Sequence, residues 1–182
     1  YADAYQMTGN PTYLTAAKRF SHKVLYDNMR LNSSVYLDGK HANTQIPKVI
    51  GFERVAQLDP SATTYHTASL NFWKNVVDKR TLALGGNSVS EHFLSAANCV
   101  KYTTEREGPE SCNTYNMLKL TENLFAVNQD AMYADYYERA LFNHILSTQH
   151  PEHGGYVYFT SARPQHYRVY SQVNQAMWCC VG

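Results

Sequence analysis

The chain has 182 residues and a net charge of +1, so it carries no excess of basic residues for binding a nucleic acid or an anionic membrane surface. This length is sufficient for one ordinary domain with a buried core. No apolar run approaches the roughly 20 residues that a membrane-spanning helix needs.

Helical spacing dominates the first half of the chain. Asn10 followed by Pro11 is typical of a helix start, because Asn caps a helix and proline suits its first position. Apolar residues recur at helical spacing from there to about residue 30, over about 44–58, and from 61 until the glycine pair at 85 and 86. The pattern therefore predicts three helices in this half.

The second half combines two further helices with segments of different character. Residues 87–112 lack a long helical pattern and predict an irregular segment with a short helix near 90–97. Apolar spacing then predicts helices over 113–127 and 130–148. After the glycines at 154 and 155, the stretches YVYFTS and HYRVYS read as two short strands and predict a β-hairpin.

These elements predict an all-α fold of antiparallel helix pairs joined by short turns, with the short β-hairpin near the C-terminus. The chemically reactive residues fall in the loops between the helix pairs. A ring of helical hairpins around a central pocket, a helical-hairpin toroid, has this arrangement. About five helices do not close such a ring, so we expect residues 1–182 to be a piece of a larger toroid.

The four cysteines raise the question of a metal site. Glu110 and Cys112 stand at a predicted helix start, where the positive end of the helix dipole favours a carboxylate and a thiolate. Cys179 and Cys180 are adjacent in the sequence, and neighbouring cysteines rarely bridge each other. One carboxylate and three thiolates would suit tetrahedral zinc. Disulfides or buried free thiols are the alternative interpretations.

Glu91, in the stretch GGNSVSEHF, is the candidate for general acid/base catalysis. A glycosidase needs one group that protonates the departing oxygen and another that attacks the sugar or activates water. The alternative is structural, because Ser88 and Glu91 have the spacing of a capping box, in which the Glu bonds back to a helix start.

Three further side chains are candidates for contacts with sugar hydroxyls. His41 lies in the polar loop DGKHANTQIPK, which could equally be a turn with a helix cap. Glu138 lies on a predicted helix, where a solvated or Arg-paired Glu is the default, and Tyr158 lies in a predicted strand, where core packing is the default. The 15 Tyr against 7 Phe suit carbohydrate binding, because Tyr combines a flat apolar face with a hydroxyl.

Five stretches in this order, HANTQIPK, GGNSVSEHF, ESCNTYNMLKL, YADYYERALFNHIL and WCC, resemble glycoside hydrolase family 127, the β-L-arabinofuranosidase group. The resemblance covers about residues 38–182. It implies that residues 1–182 are part of a catalytic (α/α)6-barrel domain whose upstream portion is absent. It also implies a carbohydrate substrate that contains arabinose.

The resemblance further implies a role for each candidate side chain. The ligands of a zinc ion would be Glu110, Cys112, Cys179 and Cys180. Cys179 would also be the nucleophile and Glu91 the acid/base, in a mechanism whose two displacements retain the configuration of the sugar. The side chains in contact with the sugar would be His41, Glu138 and Tyr158.

Other classes of protein remain compatible with the sequence. A non-catalytic carbohydrate-binding or scaffold relative, or a glycosidase with another sugar preference, would share the fold. A redox-active or disulfide-stapled helical protein would share the cysteines. Cys99 matches no role in the family and is predicted to be structural. Both a cytoplasmic and an exported location stay open, because free thiols favour a reducing compartment whereas relatives that degrade polysaccharides can be exported.

Overall fold

The structure, a computed structural model, describes residues 1–98, 100–172, 174 and 178–181. The α-helices are α1 (Ala2–Thr8), α2 (Pro11–Arg19), α3 (Lys23–Arg30), α4 (Ala42–Leu58), α5 (Thr63–Arg80), α6 (Lys101–Thr104), α7 (Ser111–Val127) and α8 (Ala131–Ala140). Short turns of 3-10 helix lie at Ser34–Leu37 and Leu146–Thr148, and a π-helical turn, Leu141–Ile145, continues α8. None of the described helices is both long enough and apolar enough to cross a membrane.

The core lies where α4 packs against both α5 and α7. The Trp73 indole of α5 is buried there and donates a hydrogen bond of 2.8 Å to Thr121 Oγ1 of α7. The same ring packs edge-on against Tyr133 and Tyr136 of α8. Aromatic burial of this kind supplies much of the energy that holds helices together. It fixes the direction of α7 and therefore the position of the α7 N-terminus.

The prediction of an all-α fold is confirmed, and most helix positions agree with the sequence pattern. The predicted helix over 11–30 is two helices, because His22 Nδ1 accepts a hydrogen bond of 3.2 Å from the Leu25 amide and so caps a new helix, α3. The short helix predicted near 90–97 is wrong. The described part of that segment holds turns, and the short helix α6 begins only at Lys101.

The predicted β-hairpin near the C-terminus is also wrong. Among the described residues the two segments share one antiparallel bridge, between Val157 and Tyr170. Next to this bridge the Ser171 amide donates to Tyr156 O at 2.8 Å, but later main-chain groups of the first segment pair with the start of α7. The Ser111 amide donates to Tyr158 O at 3.2 Å, and the Thr160 amide donates to Pro109 O at 2.9 Å. Pairing with the start of α7 thus replaces pairing between the two segments beyond this single bridge.

Candidate active site

The N-terminus of α7 is held by two distant parts of the chain. Ser88 Oγ accepts a hydrogen bond of 3.2 Å from the Glu110 amide. The Tyr158 carbonyl, on the other side, receives the Ser111 amide at 3.2 Å. Glu110 occupies the N-cap position, but its side chain makes no cap hydrogen bond. The carboxylate is therefore available for another partner.

Four potential metal ligands meet beside this helix start. The ligand atoms of Glu110, Cys112, Cys179 and Cys180 all lie within 4.8 Å of one another. Cys179 Sγ is 3.8 Å from Cys180 Sγ and 3.7 Å from Glu110 Oε1. Tetrahedral zinc with Zn–S bonds of about 2.3 Å separates its ligand atoms by about 3.8 Å. The residues therefore fit a four-coordinate metal ion.

The sulfurs of this cluster are not joined by disulfide bonds. Cys112, Cys179 and Cys180 are free thiols, and the shortest distance between two of their sulfurs is 3.0 Å, from Cys112 to Cys180. A disulfide bond would need about 2.05 Å. Cys99, which the sequence predicts to be structural, lies outside the described residues. The disulfide alternative is thus not realised among the three described cysteines.

The carboxyl group of Glu110 is buried, and one of its oxygens lacks a hydrogen-bond partner among the described residues. Glu110 is 1% exposed, and its Oε2 atom has no hydrogen-bond partner among the described residues. Burial, together with the charges of Cys180 and Glu91, raises the pKa of Glu110 to about 7. A cation beside the carboxylate would compensate this burial, because an opposite charge nearby stabilises the ionised form.

The three thiols of the cluster differ in how readily they lose their protons. The hydrogen bond from Cys112 lowers the pKa of Cys180 to about 6, although burial opposes this effect. The same hydrogen bond, reinforced by burial, raises the pKa of Cys112. Burial also raises the pKa of Cys179. Three thiolates side by side repel one another, so a bound metal ion would be needed to keep all of them deprotonated.

Glu91 lies in a tight turn and not in a capping box. Val89 and His92 exchange two main-chain hydrogen bonds of 2.9 Å, and the residues between them, Ser90 and Glu91, have φ values of 43° and 67°. Two central residues with positive φ are the signature of a type I′ turn, which normally takes Asn and Gly. The capping-box interpretation is therefore wrong, because Ser88 bonds the Glu110 amide and no helix begins at this turn.

Long-range hydrogen bonds hold this unfavourable turn in place. The Ala42 amide donates to the Glu91 carbonyl at 2.7 Å, and the Ser90 amide donates to the Glu107 carbonyl at 2.8 Å. A non-glycine residue with left-handed backbone costs roughly 1–2 kcal/mol. Such strain persists where the surrounding structure enforces it, and it is concentrated at functional sites. The turn thus fixes the position of the Glu91 carboxylate, and the strained backbone has a local energetic cost.

Replacing Ser90 by Gly is expected to stabilise the protein by about 0.5–1 kcal/mol. Glycine removes the strain of the positive φ, roughly 1–2 kcal/mol, and this gain exceeds the roughly 0.5–1 kcal/mol of extra chain entropy that glycine loses on folding. Urea unfolding would show a higher midpoint at an unchanged m-value. Ser90→Ala is the matched control and should give no gain, because alanine keeps the strain. Equal midpoints for the two variants would contradict a strained turn.

The carboxylate of Glu91 contacts two of the predicted sugar-contacting side chains. Tyr158 donates its hydroxyl proton to Glu91 Oε1 at 2.5 Å, and His41 Nε2 lies 3.5 Å from Glu91 Oε2. His41 also caps α4, because its Nδ1 accepts the Thr44 amide at 3.3 Å. In a neutral ring with Nδ1 as acceptor, the proton is on Nε2, so that nitrogen faces Glu91 as a donor.

Tyr158 links Glu91 to the cysteine cluster. Its hydroxyl oxygen is 2.5 Å from Glu91 Oε1 and 3.8 Å from Cys179 Sγ. Burial and the hydrogen bonds to Glu91 and Cys179 raise the pKa of Tyr158, so the phenol keeps its proton. A carboxylate and an exposed thiol therefore lie on either side of one phenol hydroxyl.

Glu138 is not brought into this cluster. Its side chain is exposed on α8 and lines an apolar hollow with Phe125 and Phe142. Within the described part of the chain, no hydrogen bond or ion pair joins Glu138 to the cysteines, to Glu91 or to His41. A contact between Glu138 and a sugar stays a prediction.

Ser88 and His144 are supporting residues that the sequence pattern did not identify as such. Ser88 binds the Glu110 amide across 22 residues of chain, so no local spacing signals the contact. His144 is fully buried beneath α7, and its Nδ1 lies 2.9 Å from Thr114 Oγ1. Burial and the charge of Arg168 lower the pKa of His144 to about 4. His144 therefore contacts Thr114 of α7 as a neutral imidazole.

Comparison with known proteins gives one family match. The model of a family described as β-L-arabinofuranosidase, GH127 catalytic domain, matches residues 1–182. A solved structure of a GH127 β-arabinofuranosidase matches with a TM-score of 0.65 and 24% sequence identity over 88% of this chain. The chain spans 26% of that structure, and at this identity the likeness establishes the fold alone. A search of curated proteins finds no match.

Proposed function

The chain belongs to the β-L-arabinofuranosidase family GH127, and from that premise we propose that it forms part of the catalytic (α/α)6-barrel domain of a retaining glycoside hydrolase. The substrate would be a carbohydrate from which the enzyme releases β-L-arabinofuranose. One observation carries the proposal: the Tyr158 hydroxyl lies within 3.8 Å of Cys179 Sγ and 2.5 Å of Glu91 Oε1. A nucleophile and an acid thus face one small space.

Zinc is the metal that we propose for the cluster. Its ligands would be Glu110, Cys112, Cys179 and Cys180. A set of three thiolates and one carboxylate suits the borderline-soft Zn²⁺ better than it suits Mg²⁺ or Ca²⁺, which prefer oxygen ligands. When bound, zinc would keep the thiol sulfurs deprotonated at neutral pH, and its charge would compensate the buried Glu110 carboxylate.

The first displacement is assigned to Cys179 and Glu91. Cys179 is the exposed member of the three described cysteines, whereas Cys112 and Cys180 are half-buried. The Cys179 thiolate would attack the anomeric carbon, forming a C–S bond as the C–O bond to the leaving group breaks. The departing oxygen would take a proton from the Glu91 carboxyl.

The second displacement reverses these roles. The Glu91 carboxylate would accept a proton from water as the water oxygen attacks the anomeric carbon and the Cys179 sulfur departs as thiolate. Each displacement inverts the carbon, so the released sugar keeps the original configuration. The hydroxyl of Tyr158 and Nε2 of His41 would hold the two Glu91 oxygens in position through both steps.

Metal content and activity of the full-length protein test this proposal together. We expect about one zinc per chain and hydrolysis of an aryl β-L-arabinofuranoside, with the β-anomer of arabinose as the first product by NMR. Dialysis against a chelator should remove both the zinc and the activity, because the thiols then regain their protons. A panel of other furanosides and pyranosides is the control for sugar preference.

Three results would contradict specific parts of the proposal. Zinc without hydrolysis of any panel member would favour a binding or scaffold relative. Hydrolysis that survives complete removal of the metal would overturn the role of zinc. An α-anomer as the first product would exclude a retaining mechanism.

A further inference from the structure

We propose that an aromatic groove beside the catalytic centre binds a sugar residue of the leaving group. The groove has a volume of about 410 Å³, and its wall includes Arg106, Glu107, Tyr158, Tyr167 and Trp178. Pockets for small ligands typically have ~300–1,000 Å³. The inference rests on the proposed function, and it adds a second binding position to that site.

The groove is continuous with the catalytic centre. Tyr158 lines the groove, and its hydroxyl donates a hydrogen bond to the Glu91 carboxylate. Trp178 precedes Cys179 in the chain, and its ring packs edge-on against Tyr158 with centroids 6.0 Å apart. Tyr158 is therefore shared between the groove and the catalytic centre.

The groove wall is hydrogen-bonded to the turn that carries the acid. The Ser90 amide donates a hydrogen bond of 2.8 Å to the carbonyl of Glu107, a residue of the groove wall. This bond ties the wall directly to the turn that carries Glu91. A general acid must stand beside the oxygen that it protonates, and that oxygen belongs to the leaving group. The next sugar of the leaving group is thus expected on the same side.

The chemistry of the groove suits a sugar ring. Tyr167 is 77% exposed, although its ring has a large apolar face. Aromatic faces of this kind bind the apolar side of a sugar, and the phenol hydroxyl can also form a hydrogen bond. Arg106 and Glu107 of the groove wall are exposed and offer donors and acceptors to hydroxyl groups.

The first experiment compares two substrates in the full-length protein. One is a disaccharide with a β-linked L-arabinofuranose, and the other is methyl β-L-arabinofuranoside, whose leaving group has no sugar. We expect Tyr167→Ala to lower kcat/KM for the disaccharide by up to about tenfold, or about 1.4 kcal/mol, which is near the upper end of what an aromatic contact contributes. The methyl glycoside should change by less than about twofold.

Two control variants separate stacking from a general effect. Tyr167→Phe keeps the ring face and should retain most of the activity on the disaccharide. Phe20→Ala removes an aromatic ring that is 70% exposed elsewhere on the surface, and it should not change kcat/KM for either substrate. Equal losses on both substrates, or no loss on the disaccharide, would overturn the leaving-group assignment.

A binding measurement tests the groove independently of turnover. In the Cys179→Ser protein, calorimetric titration with the intact disaccharide should show an affinity about tenfold weaker when Tyr167 is also replaced by Ala. Equal affinities with and without the Tyr167 ring would overturn the groove even if the enzyme is active. If the unmodified protein hydrolyses neither substrate, yet replacing Tyr167 by Ala still weakens binding of the disaccharide, the groove is supported and the proposed hydrolysis is not.

Discussion

Replacing Cys179 by Ser is expected to lower kcat/KM on an aryl β-L-arabinofuranoside by about 10⁴-fold or more, because loss of a covalent nucleophile has costs of this size in other hydrolases. A serine hydroxyl in the same place is a much weaker nucleophile than a thiolate. Zinc should remain partly bound, since Glu110, Cys112 and Cys180 still offer ligand atoms. Steady-state kinetics and metal analysis on the same preparation would measure both effects.

The control for Cys179→Ser is Cys112→Ser, which removes a thiol of the same cluster that is half-buried and has no assigned role in bond formation. This variant should bind zinc less tightly, yet it should still form a sugar adduct when excess zinc is supplied. Mass spectrometry after an acid quench would locate the adduct on Cys179. Full activity of Cys179→Ser, or an adduct on another residue, would refute the nucleophile assignment.

Replacing Glu91 by Gln is expected to slow hydrolysis to a degree that depends on the leaving group. General acid/base catalysis contributes typically ~10²–10⁴-fold. We expect a loss of about 10³-fold for a disaccharide, whose leaving alkoxide needs a proton, and a smaller loss for the first displacement of an aryl glycoside. Comparison of kcat/KM for the two substrates measures the difference, because kcat/KM reports the step up to the first departure.

A milder variant, His41→Asn, tests the support that Glu91 receives. Asparagine is a good N-cap, so α4 keeps its cap while the contact of 3.5 Å between Nε2 and Glu91 Oε2 is lost. We expect a loss of about tenfold that is also larger for the disaccharide, with little change in stability. If His41→Asn changes only KM, His41 is a sugar contact and not a support for Glu91.

For Glu91→Gln, equal losses of kcat/KM on both leaving groups would mean that Glu91 is not the acid.

Local sequence was enough to predict most of the helices. On α7 the apolar spacing predicts burial of Met117, Leu120, Leu124 and Val127. The first three are fully buried in the structure, whereas Val127, at the end of the helix, is 52% exposed. Asn10 accepts the Thr12 amide and caps α2 at the predicted position. Both signals act within one or two helical turns, because side chains three and four residues apart share a helix face and a cap reaches only its own first turn.

Tertiary contacts decided the parts of the site that local spacing described wrongly. The Ser-x-x-Glu pattern at 88–91 fits a capping box equally well, yet hydrogen bonds from Ala42 and to Glu107 enforce a turn with positive φ. The segment after residue 155 has strand-like character, yet the start of α7 takes the main-chain hydrogen bonds of Tyr158 and Thr160. A backbone donor can pair with any acceptor that the fold brings near, and local patterns do not encode which one arrives.

The sequence by itself determined the helices, the all-α fold and, through its resemblance to one family, which side chains to consider together. Only the tertiary structure decided that Glu110, Cys112 and Cys180 come within ligand distance across about 70 residues of chain, and that Tyr158 stands between Glu91 and Cys179. The physical reason is that helix formation is governed by neighbours along the chain, whereas a site is assembled from groups that become neighbours only after the helices have packed.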